Sequence, residues 1–309
     1  MSFDVAIVGA PFLDVTFEGL PRVPGVGEEV CARALHVGPG GAGMQAIGAA
    51  RLGLSAALVA PLPGSAWGDL LRNLLESEGV VIVGSDRPGH AYDVDAHAGV
   101  AITALLSTPE GVAMATVLGD SEPRARDVER VPARGMVLSI GNLALAPAGA
   151  TLYAVTGGLE LPHIDDAALR RLSSTRALIL NAAEAMTLTG KGDPRAAVVD
   201  LARYVPTAVV TMGPDGAIGA QERRVVSSTS PRVDVADATG AGDLFVSAYV
   251  WADLNGADLT GRMNWACLYA SLSVRAPTAF TGALALEHLL AEGETRGLSP
   301  PPRVATLRS

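Results

Sequence analysis

Asp237-Ala238-Thr239-Gly240-Ala241-Gly242-Asp243, followed without a break by LFVSAYVWADL (residues 244–254), is a glycine-ended loop that runs straight into an apolar segment of helical length. Such a loop delivers unpaired backbone N–H groups to the N-terminus of a largely buried helix. Those amides and the helix dipole together favour an anion such as a phosphate. Gly240 and Gly242 let backbone approach a ligand without a Cβ in the way. Asp243 falls in the first helical turn. It could merely complement the dipole, worth ~0.3–1 kcal/mol, or accept a proton from a substrate hydroxyl while the amides hold a transferring phosphoryl group.

Working outward, short Val/Ile/Leu runs alternate with helical stretches, the pattern of a parallel sheet covered on both faces. The strands are expected near residues 4–9, 55–60, 80–83, 136–140, 151–155, 177–180 and 207–212. The helices are expected near 42–52, 66–78, 165–173, 193–204, 241–254, 260–274 and 282–292. One stretch breaks this rhythm: 99–106 and 112–118 are extended and joined by Ser107-Thr108-Pro109-Glu110-Gly111, a hairpin signal. With residues 30–37 they would form a small sheet standing off the main body, placed to act as a lid. The expected architecture is a three-layer α/β sandwich with a mostly parallel sheet, one domain over 1–309, to which 12–37 and 90–120 add a β lid.

Composition agrees. Of 309 residues, 49% are hydrophobic and 18% charged, enough apolar material for a sizeable core. The net charge of −9, without a cluster of Lys and Arg among aromatics, argues against nucleic acid as a partner. Cys31 and Cys267 lie far apart in the chain and form no metal-ligand spacing. The start, MSFDVAIVGA, reads as a first strand rather than a signal peptide, and no apolar run reaches the ~18 residues needed to span a bilayer. The expectation is a cytoplasmic protein without membrane association.

DATGAGD followed by an apolar helix resembles the C-terminal signature of the ribokinase-like carbohydrate kinases, the PfkB family. Other landmarks follow that family's order along nearly the whole chain. VAIVGAPFLDV resembles its first strand, and GPGGAGMQAIGAARLG (residues 38–53) its glycine-rich N-terminal signature. Asn181-Ala182-Ala183-Glu184 resembles its N-x-x-E element, and Thr211-Met212-Gly213-Pro214-Asp215-Gly216-Ala217 its strand-to-turn segment beside the nucleotide phosphates.

The resemblance implies an ATP- and Mg2+-dependent kinase acting on a hydroxyl of a sugar, nucleoside or related alcohol. Asp243 would be the base, and Gly240, Ala241 and Gly242 the anion hole. ATP would lie along Thr211, Gly213, Gly216 and Asn264, with magnesium organised through water by Asn181 and Glu184. Asp14, Gly40, Gly41 and the residue at 44 would meet the substrate. Some members also use potassium, and Asp237 and Thr239 stand at the matching positions, beside an unusual RAPTAFTG segment (275–282). Exposed lid edges could pair two subunits into a homodimer.

Three departures stand out. Met44 occupies the place of a substrate-binding Asn and cannot make that amide's paired hydrogen bonds. Only residues 141–150 separate two expected parallel strands, too short for the usual crossover helix. After residue 155 the chain reads Thr156-Gly157-Gly158-Leu159-Glu160, without the Asp the family often carries there.

Simpler readings exist for each signal. Asn181 and Glu184 fit a capping box, and 211–216 fits an ordinary turn. Two rival functions follow. Gly38-x-Gly40-x-x-Gly43 fits a dinucleotide fingerprint, but no acidic residue lies between Glu29 and Asp69 to hold a ribose. A catalytically quiet ligand-binding protein of the same fold is supported by Met44 and the short 141–150 segment, and opposed by the intact Gly240–Asp243 run.

Overall fold

The computed structural model describes residues 2–84, 99–157 and 160–308. Part of the expected lid segment (90–98), and Gly158 and Leu159, lie outside the described residues. The strands are β1 (Phe3–Val8), β2 (Pro11–Glu18), β3 (Ala34–Gly41), β4 (Ala56–Val59), β5 (Val81–Val83), β6 (Ala101–Thr108), β7 (Gly111–Val117), β8 (Ala133–Ser139), β9 (Leu152–Val155), β10 (Ala177–Asn181), β11 (Thr207–Thr211), β12 (Ala217–Gln221) and β13 (Arg224–Ser228). The helices are α1 (Ala42–Arg51), α2 (Ala66–Ser77), α3 (Ala125–Val128), α4 (Asp166–Arg171), α5 (Ala182–Thr189), α6 (Pro194–Leu201), α7 (Ala241–Leu254), α8 (Leu259–Ser273), α9 (Ala279–Gly282), α10 (Leu286–Thr295) and α11 (Pro302–Arg308).

The main sheet runs β13-β12-β11-β10-β9-β8-β1-β4-β5. From β11 to β5 every pairing is parallel, and only the β12–β13 end is antiparallel. Its strands are apolar on both faces because helices cover both. Val5, Ile7, Leu58 and Ile179 pack with Met44, Leu244, Trp251 and Trp265 on one side. Ala6, Val8, Leu138 and Leu178 pack with Ala185, Val198 and Leu201 on the other. This is the three-layer α/β arrangement expected from the sequence. A second sheet, β3-β2-β6-β7, stands apart from it.

Two local readings need correction, and two strand connections add to what the sequence shows. The expected helix at 282–292 is α10, which starts later, at Leu286; Gly282 instead ends the separate turn α9, and Ala283 and Ala285 are extended between the two. Thr278 caps α9 through a box with Thr281, and that turn stops at once. The hairpin β12–β13 turns on Glu222 (φ 49°) and Arg223 (φ 66°), residues that carry no Gly or Asn turn signal. The third strand of the small sheet begins at Ala34 rather than residue 30 and runs to Gly41. Finally, β8 and β9 do pair in parallel despite the short 141–150 link. A single 3₁₀ turn, Gly141–Leu145, replaces the crossover helix.

Candidate active site

The sequence around Gly240 folds as its residue types dictate. Gly240 begins α7 at φ 77°, a left-handed conformation open to glycine at little cost. A Cβ there would stand 2.6 Å from the Ala279 Cβ. Among the described residues, no group accepts from the amides of Gly240, Gly242 or Asp243, and the Ala241 amide makes a long 3.3 Å bond to the Ala238 carbonyl. The helix therefore presents open donors, and no atom lies within 4 Å of where a Gly242 Cβ would be.

Asp243 faces the same space. Its Oδ1 accepts from Gln45 Nε2 at 2.8 Å, and Ser247 Oγ reaches the Gln45 and Asp243 carbonyls at 2.9 and 3.0 Å, so α1 and α7 are stitched together at this point. Burial pushes the Asp243 carboxyl up to about 7; Asp14 and Glu184 add to this, and the Gln45 bond opposes it. A carboxylate that titrates near neutrality is matched to taking up a proton. Gln45, deep on α1, was not singled out in the sequence, because its partner is 198 residues away.

Two clefts meet at Gly240. The larger, a solvent-open space of about 620 Å3, is lined by Gln45, Thr156, Asn181, Glu184, Thr211 and Asp243 among others. Thr156, Asn181 and Thr211 stand at the C-terminal ends of β9, β10 and β11, where an open α/β sheet usually binds its ligand, and Gln45, Glu184 and Asp243 reach in from α1, α5 and α7. Asn181 and Glu184 form a complete capping box on α5: Asn181 Oδ1 accepts from the Glu184 amide and Glu184 Oε2 from the Asn181 amide, each at 2.9 Å. The simpler reading of this pair is thus physically present, and it fixes both side chains at the cleft wall. Burial raises the Glu184 carboxyl above its usual range, against those bonds. Thr156 also lines this cleft although its loop departs from the family's pattern, and its hydroxyl donates to Glu160 at 2.9 Å.

The smaller cleft, enclosing about 350 Å3, has Asp14, Thr16, Met44, Leu105, Asp237 and Phe280 in its wall. Asp14 projects from β2 past Gly40 of β3, where a Cβ would stand 2.2 Å from Asp14 Oδ2. Burial, then Asp237, push the Asp14 carboxyl up to about 6, against a hydrogen bond from Thr103. Gly41 supplies the N-cap of α1. Met44 is only 1% exposed and presents an apolar wall. Asp237 Oδ1 accepts from the Thr239 amide at 2.8 Å. Thr278, Ala279 and Phe280 also line this cleft; apart from lying in an unusual segment, they carried no sequence signal of it.

The remaining residues expected on the nucleotide side gather elsewhere. Gly213 (φ 58°) and Gly216 (φ 93°) shape the turn after β11, closed by the Met212 amide on the Gly216 carbonyl at 2.7 Å. Ser230 Oγ reaches the Gly213 carbonyl at 3.4 Å. Asn264 on α8 is not among the residues lining the two clefts; its Oδ1 accepts from Ser228 Oγ at 2.7 Å. Ser228 and Ser230 thus tie Asn264 to the 213–216 turn, and neither was singled out in the sequence. Among the described residues, no helix is long and apolar enough to cross a membrane.

Fold and site together define a ribokinase-like α/β domain with open helix amides beside a raised carboxyl. The profile of the pfkB family carbohydrate kinases matches residues 18–92 and 147–284, and the chain belongs to that family. It is accordingly a phosphotransferase of the sugar-kinase class. No curated protein matches the sequence significantly. Solved structures share the fold. Ribokinase from Arabidopsis thaliana, complexed with ribose and ATP, superposes with a TM-score of 0.76 at 21% identity over 94% of this chain and 98% of that one. Adenosine kinase from Sinorhizobium meliloti gives 0.77 at 19% over 95% and 100%. A putative ribokinase II from E. coli in complex with ATP and Mg2+ gives 0.77 at 17% over 96% and 100%.

Proposed function

We propose that the protein transfers the γ-phosphoryl group of ATP to a hydroxyl of a sugar or nucleoside, with Asp243 as the base. One observation carries this reading: a carboxyl pushed up to about 7 stands in the first turn of α7, beside the open amides of Gly240, Gly242 and Asp243. Asp243 takes the hydroxyl proton as the acceptor oxygen bonds to phosphorus. The bond from phosphorus to the β-bridging oxygen breaks, and ADP carries away the electron pair. The amides hold the charge on the equatorial oxygens, so catalysis rests on positioning and electrostatics.

The larger cleft takes the ATP phosphates, bordered by Thr211, with the Gly213–Gly216 turn and Asn264 nearer the nucleoside end. Glu184 keeps Oε1 outside the capping box and Asn181 Oδ1 keeps a second lone pair, so both would suit a magnesium ion held through water. Magnesium supplies charge neutralisation between the phosphates. Potassium near Asp237 would have to share a carboxylate whose Oδ1 already accepts from the Thr239 amide. In the smaller cleft Asp14 accepts from acceptor hydroxyls, and Met44 leaves one side of the acceptor without a polar partner.

In this reading the chain is one kinase domain, cytoplasmic, and the small sheet is its lid. The outer face of that sheet also favours a homodimer. Val37, Val15, Ala104 and Ala115 lie side by side in one register row, and Leu35, Phe17, Leu106 and Ala113 in the next, with no charge among them. Leu35 is 58% exposed, and a second copy laid sheet against sheet would cover it. Leu35→Glu should then convert a dimer to a monomer in sedimentation velocity.

The kinase is tested by incubating the protein with MgATP and D-ribose, D-fructose, adenosine or inosine and following the phosphorylated product by mass spectrometry. A product with stoichiometric ADP supports the assignment. Acceptor-dependent thermal stabilisation without any product would favour the quiet binding protein that Met44 also fits.

A further inference from the structure

Away from the lining of the two clefts, the guanidinium of Arg51 makes four hydrogen bonds and a ring contact. Arg51 ends α1, seven residues after Met44. Its Nε and Nη2 donate to Glu78 Oε2 and Oε1 at 2.8 and 2.7 Å. Its Nη1 donates to the carbonyls of Phe280 and Ala283, both at 2.7 Å, and the group lies over the Phe280 ring, 5.1 Å from the centroid. Glu78 is the C-cap of α2. A single side chain therefore joins α1, α2 and both ends of the short α9 turn.

That turn needs an anchor. It has four residues, too few to persist alone. Its side chains form the wall of the smaller cleft, and it touches the anion cradle directly: a Cβ on Gly240 would stand 2.6 Å from the Ala279 Cβ. On its other side Phe280 packs on β3, where a Cβ on Gly38 would stand 3.0 Å from the Phe280 Cβ. A small shift of α9 would move the acceptor wall and crowd the cradle together.

We infer that Arg51, braced by Glu78, is a positioning residue for the acceptor: it fixes the α9 turn so that Phe280 and Ala279 hold the acceptor side of the cleft against the anion cradle. The inference rests on the kinase reading for its catalytic consequence, but the clamp itself stands on the hydrogen bonds. The chemistry is specific to arginine. A lysine ammonium could pair with Glu78 yet could not hold two carbonyls and a bidentate carboxylate at once.

The test uses Arg51→Lys and Glu78→Gln in the full chain, with two independent readouts. Hydrogen–deuterium exchange follows the amides of Thr281, Gly282 and Ala283, which are bonded within the turn. Arg51→Lys should speed their exchange by about tenfold while exchange in α6 is unchanged. Steady-state kinetics with MgATP and whichever of D-ribose or adenosine the wild type phosphorylates should show the acceptor KM raised about fivefold or more, with the ATP KM within about twofold. Glu78→Gln should shift both readouts the same way by less. Unchanged exchange at 281–283 would overturn the clamp. Faster exchange with an unmoved acceptor KM, or with both KM values raised alike, would overturn the positioning role. If the wild type phosphorylates neither acceptor, the kinase reading fails for them, while the exchange arm still decides the clamp.

Discussion

The two clefts that meet at Gly240 are built from different materials. Apart from Gln45, brought in from α1, the larger is made mostly of backbone amides, strand ends and side chains fixed by local caps: the α7 N-terminus, and Asn181 with Glu184 three residues apart. The smaller is made of side chains brought from distant places: Asp14 and Leu105 from the small sheet, Met44 from α1 and Phe280 from α9. A cradle for phosphate can be specified within a few consecutive residues, because every phosphate looks the same to an amide. An acceptor pocket has to be shaped by distant elements, and it can change one side chain at a time without disturbing the cradle.

That contrast can be broken experimentally. The proposed base Asp243 apart, the largest effect is expected at the junction. Gly240→Ala forces a left-handed residue and drives a methyl into Ala279, so turnover should fall about 10²-fold with any acceptor, as for other losses of oxyanion-type donors. An effect confined to one acceptor would contradict the shared role of the cradle.

Next in size is Gln45→Leu, which removes the bond to Asp243 Oδ1. Turnover should fall about tenfold as the carboxylate loses its orientation. Because that bond holds the Asp243 value down, the acid limb of kcat/KM, expected near pH 7 in the wild type, should move to higher pH. An acid limb that stays in place would separate Gln45 from the base.

A smaller and more selective change is expected at Met44. Met44→Asn puts an amide on the acceptor wall, and the ratio of kcat/KM between more and less hydroxylated acceptors should rise several-fold, with ATP KM unmoved. An equal change for all acceptors would mean that Met44 is filler.

Stability should change least. Asp14 and Asp243 titrate at about 6 and about 7 when folded, above the ordinary ~3.9 of an unfolded Asp. Between these limits the folded protein holds protons that the unfolded chain has released, so both groups cost stability as pH rises from about 4 to 7. Asp243→Asn should therefore gain Tm on the wild type over that interval, by a few degrees at most. A gap between the two that narrows or stays constant would argue against the raised value.

The same contrast explains what could be read from the sequence. Asp237–Asp243, the strand periodicity and the glycine turns are local patterns, and the three-layer fold and the cradle follow from them. The start of α10 is read four residues too early, because Ala283 and Leu284 continue an apolar helical spacing although Ala283 and Ala285 are extended, and the four-residue α9 turn is too short for periodicity to show. Gln45 and Arg51 carry their weight through partners 198 and 229 residues away, which no spacing reveals. The β12–β13 turn went unseen because Glu222 and Arg223 adopt positive φ without glycine. The short β8–β9 link is a related case: the parallel pairing is set by the apolar strands, and a 3₁₀ turn suffices between them. Its first part, residues 141–146, falls in the stretch that the family match skips, 93–146.

One comparison bears on the base directly: turnover and ATP-analogue affinity in Asp243→Asn beside the wild type, with an acceptor the wild type phosphorylates. The carboxylate's proposed part in the reaction predicts turnover reduced by about 10²–10⁴-fold while the analogue still binds within about twofold, because the helix amides remain. Turnover within about threefold of the wild type would leave the proton with no need of this residue, and the mechanism would be wrong.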